Sequence, residues 1–413
     1  MLDVCHAKET MIFDGKVAFA FNLYYQGRQE LGYTSGWETT WLGSIKNFFG
    51  DDVKIFNPDI YGPNSSSESD AALINLLNES GASLLLMIFH NGLNWKRSFI
   101  SDGALRQIRK SGVRIVAIWG DLPYPEQRLL ASSLRDMVDL NLATASESVV
   151  ARLSRDLPML YVWVPIIDSP IHSSELCTCG AQVSYAGSIK SNRLDTVRYL
   201  EKKGVNVHVG GGEGLKSLSR HQFLKVLAHP MTLSFSNQRG EKVVNARVFE
   251  ALGQRSLLLE EWGRETAKWF VPFVEYVPWR RRSDLLTQIL WFAENPSTIS
   301  TIADAGYEAR KRLSNERLWL RVIDCLGSDV AEGVKKVPYS RQEIRWGPYV
   351  PLPKRWEVFA NRIAGSSKLA SAWSFQSRTF AAGARFSDHV VGGIRLVSKS
   401  VESLSRKVRS WQK

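Results

Sequence analysis

MTLSFSNQRGEKVVNARVFEALGQRSLLLEE, residues 231–261, is the stretch whose reading decides the fold. Residues 231–235 form a short apolar run, and 236–240 (SNQRG) a polar loop containing glycine. Residues 243–252 then repeat apolar side chains at helical spacing, at Val244, Val248, Ala251 and Leu252. Gly253 is expected to stop that helix, and 256–259 to begin a second buried strand. A loop that leaves a strand's carboxyl end and opens a helix offers free backbone N–H groups and a positive dipole end, which suits phosphate. Arg239 and Arg247 stand where they add fixed positive charge. Glu250, one turn further along, is placed to accept hydrogen bonds from a pair of sugar hydroxyls. The same pattern also fits an ordinary α/β unit whose Arg and Glu are simply solvated.

Strands and helices alternate on both sides of this stretch. Residues 16–23, 53–57, 83–90, 114–121, 140–145 and 159–164 read as strands, with helices at 37–49, 70–79 and 104–110 between some of them. The run SLLLMIFH at 83–90 is apolar throughout, as in a strand buried on both faces of a parallel sheet. This rhythm predicts an α/β fold built on doubly wound, Rossmann-like parallel sheets. Residues 166–181 (IIDSPIHSSELCTCGA) lack periodicity and read as a linker. A second α/β series starts at 182: strands at 182–189, 206–209 and 275–278, and helices at 193–203, 222–228, 283–294, 299–313 and 317–326. Gly210-Gly211-Gly212 either lets the backbone approach a ligand or makes a flexible turn. The expected organisation is a domain at 1–165, the linker, a second domain at 182–330, and a basic tail at 331–413.

In open parallel sheets ligands bind beyond the strands' carboxyl ends. His90 and Asp121 stand at two such ends in the first domain. His90 reads as a base or hydrogen-bond donor to substrate, or as a packed strand-end histidine. Asp121 reads as a carboxylate facing an acceptor, or as the cap of the helix after Pro125.

Charge is concentrated at one end. Residues 330–413 hold 16 Lys/Arg against 5 Asp/Glu, which is +11 of the chain's +12. The remainder is nearly neutral, which argues against a nucleic-acid-binding body. Val390, Val391, Ile394, Val397, Val401, Leu404 and Val408 fit one helical face, with Arg395, Lys399, Arg406, Lys407 and Arg409 between them. Such a helix suits an anionic membrane surface, or packs on the protein, or is a partly disordered tail. Cys5, Cys177, Cys179 and Cys325 are too few for a disulfide framework, and no second Cys/His pair makes a zinc site with Cys177 and Cys179. With no apolar leader in 1–14 and no spanning run, a cytoplasmic protein is expected, peripheral on the membrane's inner face if the tail binds there.

Taken together, VSYAGS at 183–188, Arg193, SFSN at 234–237, RVFEALG at 247–253, LLLE at 257–260, FVPFVEYV at 270–277, Asp284-Leu285 and IADAGY at 302–307 resemble the GT-B glycosyltransferases. The nearest likeness is the spore-maturation-type branch of the group 1 family. The match is good over 183 to about 313 and general over 16–165. The resemblance implies two Rossmann-like domains facing a cleft, with a nucleotide-sugar donor in the second. Gly187, Ser188, Arg193, Asn237 in its loop and Arg247 would hold the diphosphate, and Glu250 the ribose. The first domain, with His90 and Asp121, would take a glycan or lipid-linked acceptor. The family generally needs no metal, and the nucleotide sugar is a co-substrate rather than a cofactor. Two positions depart from the pattern: Asn245 stands where a Lys is common, and Lys242 where related enzymes place a Glu. Weaker phosphate contacts, a different donor, or a non-catalytic nucleotide-sugar-binding or scaffold protein on the same fold would each follow. An enzyme that glycosylates nucleic acid, anchored by the tail, is a further alternative.

Overall fold

The structure is a computed structural model that describes residues 15–21, 38–61, 66–89, 100–120, 122–144, 146–165, 182–187, 192–211, 218, 220–238, 241–263 and 265–327. These residues fall into two α/β units. The first takes the described residues through Ala143, then Ser148–Pro165 and Asn315–Gly327; the second takes Thr144–Glu147 and the described residues from 182 to Ser314. The 166–181 linker, His90, Asp121, Ser188, Arg239, Gly212, Cys5, Cys177, Cys179 and the tail from 328 lie outside the described residues.

The first unit runs β1 (Lys16–Ala20), α1 (Gly43–Phe49), β2 (Lys54–Phe56), α2 (Ser66–Ser80), β3 (Ala82–Phe89), α3 (Asp102–Lys110), β4 (Arg114–Trp119), α4 (Pro125–Ser133), β5 (Leu140–Ala143), α5 (Glu147–Leu153) and β6 (Met159–Tyr161). All six strands pair in parallel, in the order β2-β1-β3-β4-β5-β6. The apolar run of β3 is central and buried along nearly its whole length, as its composition requires. Ser101 caps α3, accepting from Ala104 N at 3.1 Å, while Asp102 opens the helix and Arg109 and Lys110 close it, so charge follows the dipole.

The second unit runs β7 (Val183–Ala186), α6 (Asn192–Glu201), β8 (Val207–Gly210), α7 (Arg220–Leu227), β9 (Met231–Ser234), β10 (Asn237–Gln238), β11 (Glu241–Lys242), α8 (Ala246–Gly253), β12 (Leu257–Glu261), α9 (Thr266–Trp269), β13 (Val277–Trp279), α10 (Arg282–Glu294) and α11 (Pro296–Lys311). Its five-stranded sheet has the order β13-β12-β9-β7-β8, all parallel, so the order reverses between β7 and β9. One face is the main core: Val183, Tyr185, Leu233, Leu257 and Leu259 meet Leu285, Ile289 and Phe292 of α10. Alternation sends the intervening side chains to the other face, where Ser184, Thr232 and Ser234 lie among apolar ones such as Ala186 and Leu258. Ser184 Oγ lies 3.0 Å from Thr232 Oγ1, and Ser256 Oγ donates to Thr232 Oγ1 at 2.8 Å.

The second unit's loops and helix ends differ in places from those expected. The polar loop expected after β9 includes strand, since Asn237 and Lys242 pair in an antiparallel hairpin, β10–β11. α8 does end at Gly253, with Gln254 as its C-cap, but the left-handed turn falls to Arg255 at φ 54 and not to the glycine. Gly253 is small for a packing reason, since a Cβ there would lie 3.2 Å from Arg310 Cζ. Gly306 is similar: a Cβ would meet the Glu275 carbonyl oxygen at 2.4 Å. The Glu275 carboxylate itself holds α11's end, accepting from Arg312 Nη2 at 2.9 and 3.1 Å and from Val271 N at 2.7 Å. Burial pushes its pKa up, against the pull of Arg312.

The sequence reading also carries the second domain to 330, but α12 (Asn315–Gly327) packs with the first unit. Trp319 of α12 is fully buried, edge-on to Trp41 at 6.1 Å and to Phe49 at 5.4 Å, and its Nε1 donates to Ser44 Oγ at 2.9 Å. Among the described residues no helix is long and apolar enough to cross a membrane.

In the second unit the rings of His208 and His229 are 4.9 Å apart. Burial, reinforced by His208, lowers the His229 pKa from 6.5 to about 4. The folded chain therefore keeps His229 neutral where the unfolded chain protonates it. Its contribution to stability is complete above pH 6.5 and is lost as the pH falls to about 4. Denaturant unfolding across that window is expected to show wild type losing more stability than His229→Gln, by up to about 3 kcal/mol. Parallel pH profiles for the two proteins would contradict it.

Candidate functional site

The second sheet reverses strand order between β7 and β9, and such a switch point leaves a crevice at the strands' carboxyl ends. At that edge β7 is followed by Gly187, at φ +139, and β8 ends in Gly210 and is followed by Gly211, at φ +79. Both conformations favour glycine. The two ends are tied together, since Gly187 N donates to Gly210 O at 2.9 Å. The bare backbone at 187 leaves room for side chains from two helices.

Arg193 comes from the first turn of α6. Its Nη1 donates to the Tyr185 hydroxyl at 3.2 Å, and its guanidinium lies 5.9 Å from the Phe235 ring centre. Arg247 comes from the first turn of α8. Its guanidinium stacks 4.3 Å from the Phe223 ring centre, and its Nη1 donates to Glu250 Oε2 at 2.6 Å. A Cβ built on Gly187 would lie 3.1 Å from the Tyr185 hydroxyl and 3.5 Å from Arg247 Nη2. Both guanidinium groups thus converge on the Gly187 turn, one directly and one through Tyr185.

Asn245 explains its own departure from the family pattern. Its Oδ1 accepts from Arg247 N at 2.8 Å, capping α8, and its Nδ2 donates to Phe235 O at 2.8 Å. The residue ties the helix start to the end of β9. It also corrects the expectation of free N–H groups at this helix end: the Arg247 N–H is already taken by Asn245 Oδ1, and Val248 N donates to Asn245 O at 3.1 Å. Positive charge at this edge therefore resides in the two guanidinium groups more than in the helix dipole.

Glu250 is 5% exposed and Arg247's side chain 18%, so the pair is largely desolvated. Such a pair is costly to build, and its use here is to hold the guanidinium against the Gly187 turn. Two fixed planar cations beside a glycine turn suit a phosphate or diphosphate, which guanidinium binds in a forked fashion. A carboxylate with several acceptor sites beside them suits a vicinal diol.

The structure thus brings Gly187, Arg193, Arg247 and Glu250 together at one edge. Asn237 lies in the β10 strand of the hairpin that follows β9, before α8. Ser188 follows the Gly187 turn, His90 follows β3 and Asp121 follows Trp119-Gly120, all outside the described residues. Sequence reasoning missed Tyr185 and Phe223, which orient the two arginines; both read there only as strand or helix side chains. Among the described residues no three or more His, Cys, Asp or Glu side chains are grouped to hold a metal ion.

Residues 192–324, from α6 through α12, match a family described as Glycosyl transferase-like. No curated protein matches the sequence. Solved structures that share the fold include the following two. The Anabaena protein HepE, in complex with UDP and glucose, matches with a TM-score of 0.52 at 12% identity, over 76% of this chain and 100% of that one. Sucrose-phosphate synthase from Thermosynechococcus elongatus matches with a TM-score of 0.52 at 10% identity, over 76% of this chain and 98% of that one. The shared architecture is a pair of parallel α/β sheets with flanking helices, the GT-B class expected from the sequence.

Proposed function

We propose that the chain is a glycosyltransferase that moves a sugar from a nucleotide-diphosphate donor to a glycan or lipid-linked acceptor, within or near the spore-maturation-type branch. One observation carries this reading: Arg193 and Arg247 converge on Gly187 beside the buried Glu250. Transfer breaks the bond between the anomeric carbon and the diphosphate oxygen, so negative charge grows on the leaving diphosphate. Fixed guanidinium groups stabilise that charge without reorganising. Glu250 then holds the ribose diol, and Ser188 and Asn237 complete the phosphate loop. His90 and Asp121 are the candidates for the acceptor side, and the 331–413 tail the candidate for an anionic membrane surface. A UDP-sugar is the first donor to try, because HepE holds UDP and glucose.

Asn245 favours an active enzyme over the scaffold alternative. Its side chain has a structural task at the helix start, so the missing Lys is no sign of decay. Turnover of UDP-glucose, by hydrolysis or transfer over an acceptor panel, tests the reading. Glu250→Ala is expected to raise KM about tenfold or more, the weight of a charged hydrogen bond. Unchanged kinetics would remove Glu250 from the site, and tight UDP binding with no turnover over the panel would favour the scaffold. Charge stabilisation by arginine also predicts that turnover survives EDTA; abolition by EDTA, restored by a divalent cation, would reject metal independence.

A further inference from the structure

The carboxyl edge of the second sheet carries a second run of arginines besides Arg193 and Arg247, next to the Glu260-Glu261 end of β12. Tyr185, Phe235 and Trp279 form a buried row on the core face, with ring centres 5.4 and 5.5 Å apart, and Arg193 lies over its middle. Beyond Trp279, at the far end of the row, the chain continues as Arg280-Arg281-Arg282 into α10. Three strand spacings separate β13 from β7, roughly 14 Å.

Two of these arginines, Arg280 and Arg282, are held in place. Trp262 N donates to Trp279 O at 2.7 Å, which sets the two strand ends side by side, and the Arg280 guanidinium stacks 5.1 Å from the Trp262 ring centre. Arg282 reaches across to α6, its Nε donating to Thr196 Oγ1 at 3.2 Å and its Nη2 lying 3.6 Å from Asp195 Oδ2. Asp284 is turned inward, accepting from Arg281 N at 3.1 Å. Arg280 and Arg281 stay exposed. Three consecutive cations repel one another, and an aromatic stack with a cross-helix hydrogen bond restrains two of them against that repulsion. Such restraint favours an anion that several guanidinium groups share.

We propose that the β13–α10 turn is a second anion site, which binds a phosphate or diphosphate group of the acceptor. The binding of an anion stands on this geometry alone; its identity as the acceptor's phosphate rests on the glycosyltransferase reading. The acceptor class that follows is a phosphorylated or diphosphate-linked sugar, either lipid-borne or soluble.

Pyrophosphate binding to the intact chain, followed by calorimetry, tests this. Wild type is expected to show two sites. The double variant Arg280→Ala/Arg281→Ala is expected to weaken one of them about tenfold or more and keep the other. Arg193→Ala/Arg247→Ala is expected to do the converse. Wild-type binding in the first variant overturns the second site while leaving the donor reading intact. Both sites surviving in the other variant sinks the donor reading but not this one. Flotation with phosphatidic acid vesicles, against phosphatidylcholine, sorts the source. Flotation weaker than wild type in Arg280→Ala/Arg281→Ala supports a lipid phosphate, since the tail is intact in both, and flotation equal to wild type while the pyrophosphate site is lost supports a soluble one.

Discussion

Arg247→Ala is expected to lower kcat/KM for a nucleotide-sugar donor about 10²- to 10³-fold, the loss that follows removal of one preorganised charge-stabilising donor. Arg247 lies against the Gly187 turn, is stacked on Phe223 and is paired with Glu250, so neighbouring side chains have little room to replace it. Arg247→Lys keeps the charge but loses the fork and the stack, and is expected to recover only part of the rate. The alanine variant also strands the buried Glu250 carboxylate, so rates need to be read beside a melting curve. A folded Arg247→Ala protein that turns over donor like wild type would contradict the assignment.

The second large effect is on stability. Trp319→Ala is expected to cost about 3–5 kcal/mol, as for other fully buried aromatic residues. Trp319 fills the space between Trp41 and Phe49, and its indole N–H is satisfied by Ser44. Removing it opens a cavity where α12 packs, although Leu318, Val322 and Ile323 of the same helix stay buried. Trp319→Phe keeps most of the ring area, and is expected to lose mainly the hydrogen bond, about 1 kcal/mol. Denaturant midpoints measure both. Equal midpoints for wild type and Trp319→Ala would show that α12 does not hold the first unit together.

The parts of this molecule that were legible in its sequence are those set by local pattern. Continuous apolar runs at β3 and β12 announced buried parallel strands, and the Arg247-to-Glu250 spacing placed both side chains one turn apart at a helix start. Pairing across distance was not legible. The periodicity of α12 shows that one face is buried, not which unit buries it. The β10–β11 hairpin lacks apolar alternation, and only Arg239-Gly240 between its arms hinted at a tight turn. Phe223 under Arg247 and Tyr185 under Arg193 are packing choices between separate elements, which a linear pattern does not encode. Asn245 showed in the sequence as a lost charge; only its bonds to Arg247 and Phe235 reveal a cap. At Gly253 the helix stops where the sequence places the stop, but Arg255 makes the left-handed turn, and the glycine is there to fit against Arg310.

Crystals of the intact chain soaked with UDP give the most direct measurement of where a donor's diphosphate sits. The expected result is a diphosphate within hydrogen-bonding distance of the Arg193 and Arg247 guanidinium groups, with the ribose hydroxyls on Glu250. UDP bound elsewhere on the chain, or an edge at Gly187 that stays closed to it at saturating concentration, contradicts the assignment.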